Sequence, residues 1–133
     1  MTNGVFLSIT APCYNEHENI EKMVSYWQSV LLKDGISGEV VIGEDGSTDG
    51  SKDILKRLQA EQSNLIVVDH PENRGYGYAL GSAIAHSQGE YVLTLDSDGQ
   101  FDAAEYTLLY SELKKGRVFH FLTVYSIALT SSH

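Results

Sequence analysis

Cysteine occurs once in this chain, at Cys13, so no intrachain disulfide can form and a reducing, intracellular compartment is the default. Basic residues are scarce too: nine Lys and Arg stand against eighteen Asp and Glu, a formal net charge of −9, and the nine are scattered along the chain. Nucleic-acid binders carry basic patches, so nucleic acid is not expected as a partner. An anionic ligand would need a cation as intermediary. The chain has no apolar run approaching the roughly 20 residues a membrane span requires. Its N-terminus, "MTNGVFLSITAP", has no basic stretch of the kind that opens a signal peptide. A cytoplasmic protein is therefore expected, with peripheral membrane association left open. The five histidines, His17, His70, His86, His120 and His133, show no ligand spacing such as H-x-x-x-H, which argues against a histidine metal site.

What is present is ordinary for one globular domain: 133 residues, 42% hydrophobic and 20% charged. Apolar runs alternate with helical stripes. Val5 to Ala11 reads as a strand stopped by Pro12. Asn15, with Glu18 three residues on, predicts the cap of a helix carrying Ile20, Met23, Val24, Trp27, Val30 and Leu31 inward and closed by Lys33 and Gly35. Glu39 to Gly43 is a second strand, and Ile54, Leu55 and Leu58 mark a second helix. Leu65 to Val68 is a third strand, followed by a helix with Ala79, Leu80, Ala83 and Ile84 inward, closed by Gly89. Tyr91 to Leu95 is a fourth strand. After it, Asp102 and Glu105 suggest a capping box for a helix through Leu108, Leu109 and Leu113 that stops near Gly116.

Strand and helix alternating four times imply an α/β fold with a mostly parallel sheet and helices on both faces. Right-handed crossovers then gather every strand's C-terminal end on one edge, where such sheets bind ligands. The segments that follow the strands are Pro12, Tyr14, Asn15 and Glu16; then Glu44, Asp45, Gly46 and Ser47; then Asp69, Asn73, Arg74 and Gly75; then Asp96, Asp98 and Gln100. All four should converge. The opposite edge receives only Gly, Ser, Gln and Glu in short links.

Each cluster has a chemistry. Asp96, Ser97, Asp98, Gly99 and Gln100 place two carboxylates at a strand end, an arrangement best relieved by a divalent cation taking oxygen from Asp96, Asp98 or Gln100. A solvated Asp-x-Asp turn is the plainer alternative, and the spacing of Gly99 does not fit a hand-type calcium loop. Glu44 and Asp45 can accept from a base's imino or amino group and Ser47 or Thr48 from hydroxyls, although Thr48, Asp49 and Ser51 also suit a helix N-terminus. Arg74 can hold a diphosphate in bidentate fashion, with Gly75 and Gly77 admitting backbone N–H groups, or the glycines form a plain turn. Tyr14 could stack on a base or simply lie on the surface. "GYGYALG", Gly75 to Gly81, imitates a dinucleotide fingerprint, but its third glycine comes one residue late and the unit is the third in the chain.

"PCYNE", "EDGSTDGS", "NRGYGYAL" and "DSDGQF" together resemble the nucleotide-binding half of a family 2 glycosyltransferase with the Rossmann-like GT-A fold, within its dolichol-phosphate mannose synthase-like branch. The resemblance spans roughly Leu7 to Gly116. It implies that Pro12, Tyr14 and Glu16 contact the nucleoside and that Asp45, with Glu44 beside it, reads the base, with Ser47 also in the nucleotide-binding set. Arg74 and Gly75 line the nucleotide and diphosphate; Asp96, Ser97 and Asp98 form the DXD motif; Gln100 joins the metal shell. A Mg²⁺ or Mn²⁺ ion and a UDP- or GDP-linked sugar are the implied cofactor and donor, with a polyprenyl phosphate or glycan as acceptor and inversion as the outcome. No general base is assigned. Residues 1–116 make the expected nucleotide-sugar-binding domain, and residues 117–133 form a divergent apolar tail of it. That tail is open to three readings: a substitute final strand, a membrane-contacting or dimerising patch, or the mark of a truncated reading frame. Because the acceptor half is missing, the alternative to a transferase is a nucleotide-sugar-binding module without turnover.

Overall fold

The computed structural model describes residues 4–95, Ser111, Lys115 and a C-terminal strand over residues 128–131. The apolar runs become β1 (Leu7–Cys13), β2 (Gly38–Asp45), β3 (Leu65–His70) and β4 (Tyr91–Thr94), and the helical stripes become α1 (Ile20–Lys33), α2 (Ser51–Glu61) and α3 (Tyr76–Ala85). The sheet runs β3-β2-β1-β4, all parallel, and β5 (Ala128–Ser131) closes it by pairing antiparallel with β4. Within the tail, Ala128–Ser131 forms a strand, and the rest of it lies outside the described residues. The predicted helix after Asp102 lies outside the described residues, except that Ser111 is helical.

Side chains alternate across a strand, so each face of the sheet can be read by parity. Leu7, Ile9, Ala11 and Cys13 share one face with Val40, Ile42, Leu65, Leu93 and Leu95. That face packs on Ile20, Met23, Val24, Trp27 and Leu31 of α1 and on Leu55 and Leu58 of α2 in one buried cluster. The α1 residues recur at three- and four-residue spacing, the stripe that turns one helix face inward. The other face is smaller and more polar: Ser8, Thr10, Val41, Gly43, Val92 and Thr94 are buried there, and α3 brings only Ala79 and Ala83 fully inside. Leu80 and Ile84, expected inward, are half-buried, since the helix meets the sheet along its alanine edge.

Three boundaries differ from expectation. β1 does not stop at Pro12 but runs on to Cys13, with Pro12 paired to Gly43. The Leu95 N–H donates to the Thr10 carbonyl, so Thr10 faces β4, and so does Pro12 two residues on. Pairing with β4 has ended by then, at Thr10. The missing proline N–H therefore removes nothing from the β1–β2 ladder. α1 begins at Ile20 instead of capping on Asn15, which adopts φ 53° and turns its side chain to a neighbouring loop. Asn is among the few residues that tolerate this conformation. Gly89 likewise does not close α3, which ends at Ala85; it lies against Ser8, where a Cβ would come within 2.5 Å of the Ser8 nitrogen.

β1, β2 and β3 advance in one direction with α1 and α2 on one face. The chain then returns through α3 on the other face to place β4 beside β1. The strand order reverses there, so the crevice of this sheet opens between the C-terminal ends of β1 and β4. At the opposite edge Glu39 is buried, accepting from Ser8 Oγ at 2.7 Å and from the Gln88 N–H at 2.7 Å, while Gly89 N–H donates to Ser8 Oγ. This closed network ties the link before β4 to β1 and leaves that edge without free ligand groups among these residues.

Candidate functional site

Three loops leave the C-terminal edge of β1, β2 and β3, and all three are joined by side-chain hydrogen bonds. The first and second are held by a reciprocal pair. The Asn15 N–H donates to Ser47 Oγ at 2.9 Å, and the Thr48 N–H donates to Asn15 Oδ1 at 2.8 Å. Farther along, Ser51 Oγ accepts the Glu16 N–H at 3.0 Å, and Asp49 Oδ2 accepts the His17 N–H at 3.1 Å and lies 2.8 Å from His17 Nδ1. The other Asp49 oxygen accepts from the Ser51 N–H and hydroxyl, at 3.0 and 2.6 Å, at the start of α2. Asp49 thus serves the helix N-terminus and the neighbouring loop at once. Burial acts against its charge, yet the hydrogen bonds from Ser51 and His17 outweigh it and hold the carboxyl well below its usual range.

The second and third loops are joined through Asp45. Its carboxylate accepts from the Arg74 N–H at 2.8 Å, the Gly75 N–H at 3.0 Å and Asn73 Nδ2 at 3.0 Å. The guanidinium of Arg74 lies 5.2 Å from the ring centre of Tyr78, which in turn meets His70 edge-on at 5.0 Å. Arg74 is exposed and Tyr14 is 47% exposed, so both face solvent along this rim.

Glu44 and Asp45 do not act as a pair. Being adjacent in a strand, they point to opposite faces. Asp45 lies on the α3 side with the third loop, whereas Glu44 is fully buried on the α1–α2 side beside Cys13. There both of its oxygens accept from Ser47, one from the N–H and one from the hydroxyl at 2.8 Å. Pro12 is buried at the end of β1, and Glu16 accepts from Asn19 Nδ2 at 3.2 Å. Asp69 is not at the rim group either; it pairs with Lys52 of α2 at 3.1 Å. Asp96, Ser97, Asp98 and Gln100 lie outside the described residues. Among the described residues no group of three His, Cys, Asp or Glu side chains is arranged to hold a metal.

Asn15, His17 and Asn73 carry the joints between loops, and the sequence singled out none of them for that work. The available signal was chemical. Short amide and acidic side chains in loops bond backbone N–H groups, but which loop they reach depends on the fold.

Cys13 is sealed behind Glu44. Burial first, and then the negative charge of Glu44, push its thiol up to about 12 from 9.0. The folded chain therefore keeps this proton where the unfolded chain loses it, so this contribution to stability is intact below about pH 9 and falls away as pH rises toward about 12. The thiol should stay unmodified by a disulfide reagent at pH 8 in the native protein and titrate as one group after denaturant is added. Rapid native labelling would show that the strand end opens.

The dinucleotide fingerprint fails on packing. Its third glycine exists to let helix and strand approach, yet a Cβ at Gly77 or Gly81 would meet nothing within 4 Å. The close approach is made instead by Gly43, on the strand.

An open, mostly parallel sheet whose strand order reverses beside a loop-built rim defines a Rossmann-like α/β domain, here of GT-A type. The chain belongs to glycosyl transferase family 2, whose sequence profile matches residues 8–131. It is 35% identical over 116 residues to a dolichyl-phosphate beta-glucosyltransferase of Trichomonas vaginalis, covering 84% of this chain and 36% of that protein. It thus spans about a third of the length of the curated relatives it matches. Among solved structures, S. aureus TarS with UDP-GlcNAc superposes with a TM-score of 0.68 at 26% identity, over 84% of this chain and 32% of that one. A mannosyltransferase of Pyrobaculum calidifontis in complex with GDP-Man and Mn²⁺ superposes with a TM-score of 0.57 at 31% identity, over 69% of this chain and 27% of that one.

Proposed function

We propose that the rim binds a nucleotide sugar and that this chain is the donor-binding part of an inverting sugar transferase. The observation that carries this is the joining of three strand-end loops, through Asn15–Ser47, His17–Asp49 and Asp45 with Arg74 and Gly75, around the crevice where the strand order reverses. By resemblance, Tyr14 and Glu16 are assigned to the nucleoside and Arg74 and Gly75 to the diphosphate. Glu44 and Ser47 hold the first two loops together from behind. Asp96, Ser97, Asp98 and Gln100 are assigned by resemblance to the metal and diphosphate. With a net charge of −9 the chain suits a diphosphate only through such a cation. A divalent ion bound there supplies charge neutralisation of the departing diphosphate.

Support for the donor comes from the neighbours solved with UDP-GlcNAc or with GDP-Man and Mn²⁺, and for a polyprenyl phosphate acceptor from the dolichyl-phosphate relatives. A lipid-borne acceptor brings the protein to a membrane surface. No helix among the described residues is long and apolar enough to cross one. The second reading is donor binding without turnover. Two assays separate them: Mn²⁺-dependent binding of UDP and GDP, and transfer of labelled sugar to a polyprenyl phosphate or a glycan. Binding with transfer supports the enzyme, binding alone the module, and absence of both removes the donor site.

A further inference from the structure

We propose that Tyr78 is a positioning residue, whose ring carries the Arg74 guanidinium on one face and so presents the guanidinium N–H edges to the diphosphate. This rests on the rim being a nucleotide-diphosphate site. The guanidinium carbon of Arg74 lies 5.2 Å from the centre of the Tyr78 ring, inside the range of about 6 Å over which a cation is drawn to an aromatic face. Arg74 is exposed, and among the described residues its guanidinium takes part in no salt bridge. A carboxylate partner would occupy the edge of the group and offset its charge. A ring takes only a face, while the N–H donors point outward in the guanidinium plane. The group is therefore held and still free to bind.

Both ends of this arrangement are anchored. The Arg74 main-chain N–H donates to Asp45 at 2.8 Å, which fixes the backbone from which the side chain leaves. Tyr78 stands in the first turn of α3, and its ring meets that of His70 edge-on at 5.0 Å. His70 is the last residue of β3, in register with Asp45, and its carbonyl accepts from Lys52 Nζ at 3.1 Å. The Tyr78 ring thus leans on the sheet as well as belonging to the helix. A free arginine side chain gives up much rotamer freedom when it closes on a ligand. One already laid on a ring has given up part of it beforehand, so less of the binding free energy is lost to ordering.

The full chain is tested as wild type, Tyr78→Phe, Tyr78→Leu, Arg74→Ala and the double variant Tyr78→Leu with Arg74→Ala. NMR of the ligand-free protein reads the Arg74 side-chain Nε–H, which a ring beneath the guanidinium shifts upfield, and calorimetry reads UDP and GDP with Mn²⁺. Tyr78→Leu should abolish the upfield shift and weaken UDP and GDP alike by about threefold, whereas Tyr78→Phe should keep the shift and the affinity. In the Arg74→Ala background Tyr78→Leu should cost nothing further, because the ring acts only through the guanidinium. A general loss of structure would instead add to the loss from Arg74→Ala. Absence of the shift in the free wild type, unchanged or tighter binding by Tyr78→Leu, or a loss that persists without Arg74 overturns the proposal and leaves the donor site standing. Failure of the wild type to bind either nucleotide removes the donor site, and the proposal with it.

Discussion

Gly43→Ala should lower the melting temperature by roughly 10 °C or more, because the new methyl has nowhere to go. Its Cβ would stand 2.1 Å from the Ala79 carbonyl oxygen and 2.8 Å from the Ala79 carbonyl carbon, and both are backbone atoms of α3. A clash with the tip of a flexible side chain could be relieved by a rotamer change; this one requires the helix to lift. β2 cannot yield in return, since Gly43 lies between Pro12 on β1 and Val68 on β3. The cost is that of an overpacked core, roughly 3 kcal/mol. α3 begins at the Arg74–Gly75 loop, so nucleotide affinity should fall with stability. Thermal unfolding followed by circular dichroism checks the first effect, and an unchanged midpoint would show that α3 is not seated on this glycine.

The parts of the molecule fixed by periodicity were legible in the sequence. Val40, Val41 and Ile42 sit in a buried strand, and the stripe from Ile20 to Leu31 faces the core, because burial of apolar area is local in pattern and needs no knowledge of partners. The gathering of strand ends followed from the handedness of crossovers alone. The joints between loops were not legible. Asn15 has the chemistry of a helix cap, and only the position of Thr48, 33 residues away, decides that its oxygen goes there. Pro12 has the chemistry of a strand terminator, and only the early end of β4 pairing makes it harmless. The split between Glu44 and Asp45 is different. It follows from two-residue alternation, a rule available at the outset, once the strand is seen to extend through both residues to Asp45.

Asp98→Ala should reduce Mn²⁺-dependent affinity for a nucleoside diphosphate by on the order of a hundredfold or more, with melting unchanged in the absence of ligand. In sequence Asp96 follows Leu95, whose N–H bonds the Thr10 carbonyl beside the crevice. The described rim offers the exposed Arg74 guanidinium as a donor but no oxygen cluster for a cation, because Asp45, Asp49 and Glu44 are all engaged with loop amides and hydroxyls. On the proposed function, a cation that neutralises a diphosphate on a chain of net charge −9 would be held by the carboxylates that follow β4 in sequence. Removing one deletes a hard oxygen ligand and half of the local negative charge, which weakens the ion and with it the nucleotide. The stability of the free protein should not suffer, since removing one of two carboxylates two residues apart in sequence adds no unpaired charge. Titration of UDP and GDP with and without Mn²⁺ measures the effect. Equal affinity in wild type and variant would make the Asp-x-Asp segment an ordinary turn, and the metal would have to be sought elsewhere.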